Sequence, residues 1–71
     1  MTDEKINFSM DLTTLMAVEQ LSKEQNKNTE EVLISFMESN TGRMIYDDST
    51  KFWWDGPVAA VQEYKSEMGI A

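Results

Sequence analysis

The run Ile6-Asn7-Phe8-Ser9-Met10 constrains this chain more than any other stretch. Apolar and small polar residues alternate over five positions, which is the period of a half-buried strand. The alternation predicts a strand from Lys5, with Ile6, Phe8 and Met10 on one face and Lys5, Asn7 and Ser9 on the other. A lone strand presents a row of unpaired backbone groups and has to be paired. No other stretch reads as a strand with the same clarity, so the expected partner is the same strand of a second copy. The result would be a homodimer held through Ile6, Phe8 and Met10.

A second subunit also answers the problem of size. Seventy-one residues make one small domain, and a chain of that length buries only ~60% of its unfolded surface. Small domains are commonly reinforced by a disulfide, a metal or another subunit. The chain has neither Cys nor His, which removes disulfides, thiolate chemistry and the common zinc sites together. Asp47-Asp48 with Asp55 lacks the spacing of an EF-hand loop, so no metal and no cofactor is expected. With no His base, no Cys nucleophile and no Gly-rich phosphate loop, the sequence reads as a non-enzyme.

Two helices of amphipathic period should follow the strand. Asp11 or Thr13 is placed to cap the first, over about residues 12–25, with Leu12, Leu15, Val18 and Leu21 recurring every three residues and Met16 beside them. The polar run Gln25-Asn26-Lys27-Asn28 should end it. Thr29 opens the second helix, with Glu30 and Glu31 in its first turn and Val32, Leu33, Phe36 and Met37 on its apolar face. Beyond Met37 two outcomes compete. Gly42 could stop the helix, leaving residues 44–46 and 52–54 as a hairpin, or the helix could run on to about Tyr46 with Gly42 inside it, which the periodicity favours. Asp55-Gly56-Pro57 then starts a last helix lined by Val58, Val61, Tyr64 and Met68, and Gly69 ends it.

The order strand, helix, polar turn, helix over about residues 5–38 resembles the ribbon-helix-helix regulators of the Arc and MetJ type. The ribbon is carried by Ile6 to Met10, the first helix by Leu12 to Ser22, and the turn and second helix start by Lys27 to Ile34. The resemblance implies a mainly α fold with one short N-terminal strand, an intertwined homodimer, and paired ribbons in the major groove of operator DNA. It also implies that Lys5, Asn7 and Ser9 face the bases while Asn28 and Thr29 anchor a phosphate. Those residue types suit base edges and helix-start phosphates.

The rest of the single domain, residues 41–71 after a ribbon-helix-helix part over 5–40, carries an aromatic segment. Met44, Tyr46, Phe52, Trp53, Trp54 and Tyr64 are candidates for partner contact, since Trp is enriched at interface hot spots. One of the two Trp residues is also expected to close the chain's own core. This layout is similar to bacterial antitoxins, which implies a cognate toxin as partner. Thirteen acids against six bases give a net charge of −7, which complements a basic protein rather than DNA overall. The alternative expectation is an acidic protein-interaction module without DNA binding. With neither a membrane-spanning run nor a secretion signal, the expected location is the cytoplasm.

Overall fold

The computed structural model describes residues 2–47, 49 and 52–70, without the side chains at positions 2, 3, 6, 52 and 53. Its elements are α1 (Thr2–Gln25), α2 (Thr29–Glu38), α3 (Asn40–Ile45) and α4 (Gly56–Met68), with a 3-10 turn at Phe52–Asp55 leading into α4. Among the described residues no strand forms. The expected ribbon is therefore replaced by nearly three more turns of α1, and the intertwined ribbon-helix-helix dimer has no ribbon to build on.

The reason lies in the spacing. Ile6 and Met10 are four apart, so the pair satisfies a helical period as well as a strand period. Met10 continues into a strict three-and-four series: Met10, Thr13, Thr14, Ala17, Val18 and Leu21 are all at most 5% exposed. Phe8 is two residues from Met10, on the far side of the helix at about 100° per residue, and is 67% exposed. Ile6, Phe8 and Met10 accordingly do not form one dimerising face, and the Ile6 side chain lies outside the described residues. On α1, Lys5 and Ser9 share one side while Asn7 stands about 200° away from each, so the three do not form a base-facing row.

The same arithmetic corrects the stripe expected on the first helix. A repeat of three advances only about 300° per step, so Leu12 stands half a turn away from Leu21. Val18 and Leu21 are buried, whereas Leu12, Leu15 and Met16 are about half exposed. Asp11 is inside α1 rather than at its start, and its carboxylate accepts a hydrogen bond from the Tyr46 hydroxyl at 2.5 Å.

The helix ends are set by local chemistry. Asn26 takes a left-handed φ of 53° after the last residue of α1, and the Lys27 amide donates back to the Ser22 carbonyl at 3.1 Å, the six-to-one bond of a Schellman end. Asn28 caps α2, its Oδ1 accepting from the Glu30 amide at 2.7 Å. At the other end of the chain Gly69, with φ 70°, closes α4 as the Ile70 amide donates to the Lys65 carbonyl at 2.8 Å.

Neither outcome expected after Met37 is met in full. The chain stays helical to Ile45, so residues 44–46 do not form a hairpin arm, but the helix breaks at Ser39, whose φ and ψ are extended. Ser39 Oγ donates to the Phe36 carbonyl and accepts from the Gly42 amide at 3.0 Å, ending α2 and capping α3 with one side chain. The corner is tight: a Cβ at Gly42 would lie 2.1 Å from the Phe36 carbonyl oxygen. Glu67 of α4 completes it. Its carboxylate accepts from the Asn40 amide at 2.8 Å, the Thr41 amide at 2.9 Å and the Thr41 hydroxyl at 2.7 Å. With the Gly42 amide on Ser39 Oγ and the Ser39 amide on the Phe36 carbonyl, all four free amides at the start of α3 are satisfied.

Met10, Ala17, Val18 and Leu21 of α1 meet Val32 and Phe36 of α2, Ile45 of α3, and Ala60, Val61 and Tyr64 of α4 in one core. The Phe36 and Tyr64 rings sit 5.3 Å apart at 37°, in the range of favourable tilted pairs. Val58, expected on the inner face of α4, is 60% exposed, and Ala60 takes the inner position. Twenty-four residues of helix are about 36 Å long, so α1 runs the full 37 Å of a molecule only 19 by 18 Å across. The other described elements pack along one side of it.

Candidate functional site

That one-sided arrangement decides what α1 leaves to solvent. Phe8 (67% exposed), Leu12 (44%), Leu15 (58%) and Met16 (48%) occupy the side opposite Met10 to Leu21. At about 100° per residue, Lys5, Phe8, Leu12, Leu15, Met16, Glu19 and Lys23 all fall within an arc of about 100°. Lys5, Phe8, Leu12, Leu15 and Glu19 follow one another at spacings of three, four, three and four, the spacing of a helix seam that packs against another helix. α1 is thus apolar on two opposite faces, one used for the molecule's own core.

Trp54 extends this outer surface. The 3-10 turn before α4 places it beside α1, where Ser9, Leu12, Thr13 and Trp54 line a shallow depression of roughly 330 Å³. A second depression of roughly 270 Å³ continues along α1 between Met16, Glu19, Gln20 and Lys23. Trp54 is 76% exposed. The orientation of the helix is fixed from behind by its buried face, by the Tyr46–Asp11 hydrogen bond and by the ion pair of Lys65 with Glu24 near its C-terminal end. Burial, and then the hydrogen bond to Asp11, raise the Tyr46 hydroxyl above its ordinary pKa, so it stays a donor at neutral pH.

The residues named from sequence are dispersed. Tyr64 is 5% exposed in the core and Met44 is half-buried. Tyr46 is partly exposed but turned to Asp11. The Phe52 and Trp53 side chains lie outside the described residues, which leaves Trp54 from that group on the outer surface. Asn28 uses its side-chain oxygen on the Glu30 amide, and the Thr29 hydroxyl lies 3.4 Å from that of Ser22. On α1, Leu12, Leu15 and Met16 are the surface residues that sequence reasoning assigned to the interior. A second regular series, Met10 to Leu21, was the signal that could have released them.

A cleft of roughly 450 Å³ lies elsewhere, among the end of α1, the turn after it, α2 and α4, with Lys27, Ser35, Glu38, Tyr64 and Glu67 in its lining. Glu67 is committed to the α3 cap there. Thr41 and the Asn40 amide hold its carboxyl below the usual range, so Glu67 stays ionised at neutral pH. Among the described residues no group of three or more acids is placed to hold a metal ion. Nor is any helix among them long and apolar enough to cross a membrane. Comparison with known proteins finds no matching family model, no similar curated protein and no similar solved structure.

Proposed function

We propose that this protein is a small acidic interaction module that binds a partner through the outer face of α1 and Trp54. The occupant that suits a straight apolar stripe with three-and-four spacing is another amphipathic helix. One observation carries this: Phe8, Leu12, Leu15 and Met16 form a continuous exposed stripe on a helix whose other side is fully used. Exposed apolar residues in ones and twos, such as Ile34 and Met37 on α2 or Val58 on α4, need no explanation, whereas larger contiguous patches mark binding sites. Operator binding by a ribbon is not retained, because the ribbon is a helix.

The test is site-specific photo-crosslinking in the native cell, with a photoreactive phenylalanine analogue at Leu15 or, as a control, at exposed Gln62 on α4. A discrete product from position 15 and none from position 62 supports the surface. No product from position 15, or the same products from both, refutes it.

A further inference from the structure

We infer that the helix received by this face is α1 of a second copy, packed antiparallel about a two-fold axis at Leu12. The inference rests on the outer face being a binding surface and names its occupant. Charge is the first argument. The chain carries thirteen acids and six bases, yet the outer arc of α1 holds Lys5, Glu19 and Lys23, two bases and one acid. The acid excess lies elsewhere, so a basic partner finds no attraction on this face. A second copy does, in one orientation.

Lys5 and Glu19 are each seven residues from Leu12, about 10 Å along the axis in opposite directions. An antiparallel pair centred on Leu12 therefore sets Lys5 of each chain against Glu19 of the other, twice by symmetry, with Phe8 over Met16 between them. A parallel pair would oppose Lys5 to Lys5 and Glu19 to Glu19. Both residues are exposed in the single chain. The bond Glu19 makes to Lys23, 3.6 Å long with both side chains more than two-thirds exposed, is a weak solvent-facing contact that leaves its carboxylate accessible.

Area is the second argument. The exposed parts of Phe8, Leu12, Leu15, Met16 and Trp54 amount to on the order of 500 Å² per chain. Doubled across a two-fold axis they reach about 1,000 Å², where specific interfaces begin. Trp54 lies beside Leu12, so the axis sets both Trp54 side chains level with the middle of the contact, one on each flank of the Leu12 pair, and Trp is enriched among interface hot spots. A dimer of micromolar strength is expected from an interface of this size.

Sedimentation equilibrium on the purified chain tests this, with circular dichroism to confirm that each variant remains helical. The wild type should dimerise, and Leu12→Glu should weaken the dimer by about a hundredfold or more. Lys5→Glu and Glu19→Lys should each weaken it by roughly tenfold. The double variant Lys5→Glu/Glu19→Lys should recover, and an equimolar mixture of the two single variants should form heterodimers. A wild type that stays monomeric to about 100 µM, well above the expected range, overturns the second copy as occupant. So does a dimer with no charge-swap recovery. Neither result removes the surface itself, for which a Leu15 crosslink heavier than two 8.2 kDa chains would then identify a different protein. A dimer unaffected by Leu12→Glu, with no Leu15 crosslink in cells, overturns both.

Discussion

Replacing Glu67 probes how a side chain on the last turn of α4 holds the start of α3. In Glu67→Ala the Asn40 amide, the Thr41 amide and the Thr41 hydroxyl lose their acceptor together. Asn40 is exposed and water replaces the carboxylate there, but Thr41 is fully buried. Leaving a buried donor unsatisfied costs about 1–3 kcal/mol, so Glu67→Ala should lose about 2–3 kcal/mol. A domain of this length has roughly 4–10 kcal/mol in total. Glu67→Gln keeps one acceptor oxygen and loses the charge at the helix start, worth about 0.5–1 kcal/mol once solvent exposure of the carboxylate is discounted.

The pH dependence gives a second, independent reading. Thr41, then the Asn40 amide, lower the Glu67 pKa from its ordinary 4.5. The unfolded chain therefore binds the proton more readily, and the stabilisation is present above about pH 4.5 and lost as pH falls through the folded-state pKa. Urea unfolding followed by circular dichroism at pH 7 and at pH 3 measures both effects. The gap between wild type and Glu67→Gln should narrow at pH 3. Wild-type stability in Glu67→Ala, or a gap independent of pH, would refute the cap.

Other substitutions separate the helix from the strand and test the corners. Met10→Ala should cost about 2–4 kcal/mol through a core cavity, while Phe8→Ala should change the stability of the single chain by less than about 0.5 kcal/mol; equal costs in urea unfolding would restore a shared face. Gly42→Ala forces a methyl against the Phe36 carbonyl oxygen, 2.1 Å from the ideal Cβ, and should lose at least about 2 kcal/mol, read as a lower Tm. Asn26→Gly, at φ 53°, should gain about 0.5 kcal/mol by relieving the left-handed strain, and a loss would count against the Schellman end.

The ends of the elements were legible because their chemistry is local. Asn26 and Asn28 separate α1 from α2, Pro57 stands at the start of α4, and Gly69 ends it. The strand was misread because five residues with apolar side chains at both two- and four-residue spacings satisfy two periods. Only the series from Met10 onward decides between them. The break at Ser39 was hidden because half of its capping comes from Glu67, more than twenty-five residues away in sequence. As for the surface, Phe8 and Trp54 were named from sequence as contact residues. Leu12, Leu15 and Met16 were not, because a helix with two apolar faces offers two stripes and the sequence does not say which one the rest of the chain covers.

The most direct measurement is a nitrogen-15 amide spectrum of the wild type followed through dilution from about millimolar to a few micromolar, across the dissociation range expected for a contact of this size. Concentration-dependent shifts centred on Phe8, Leu12, Leu15, Met16 and Glu19, with the Trp54 indole moving alongside, are expected for a contact made by the outer face of α1. Shifts centred on α2 or α4 with that face unmoved, or a spectrum constant throughout, would contradict it.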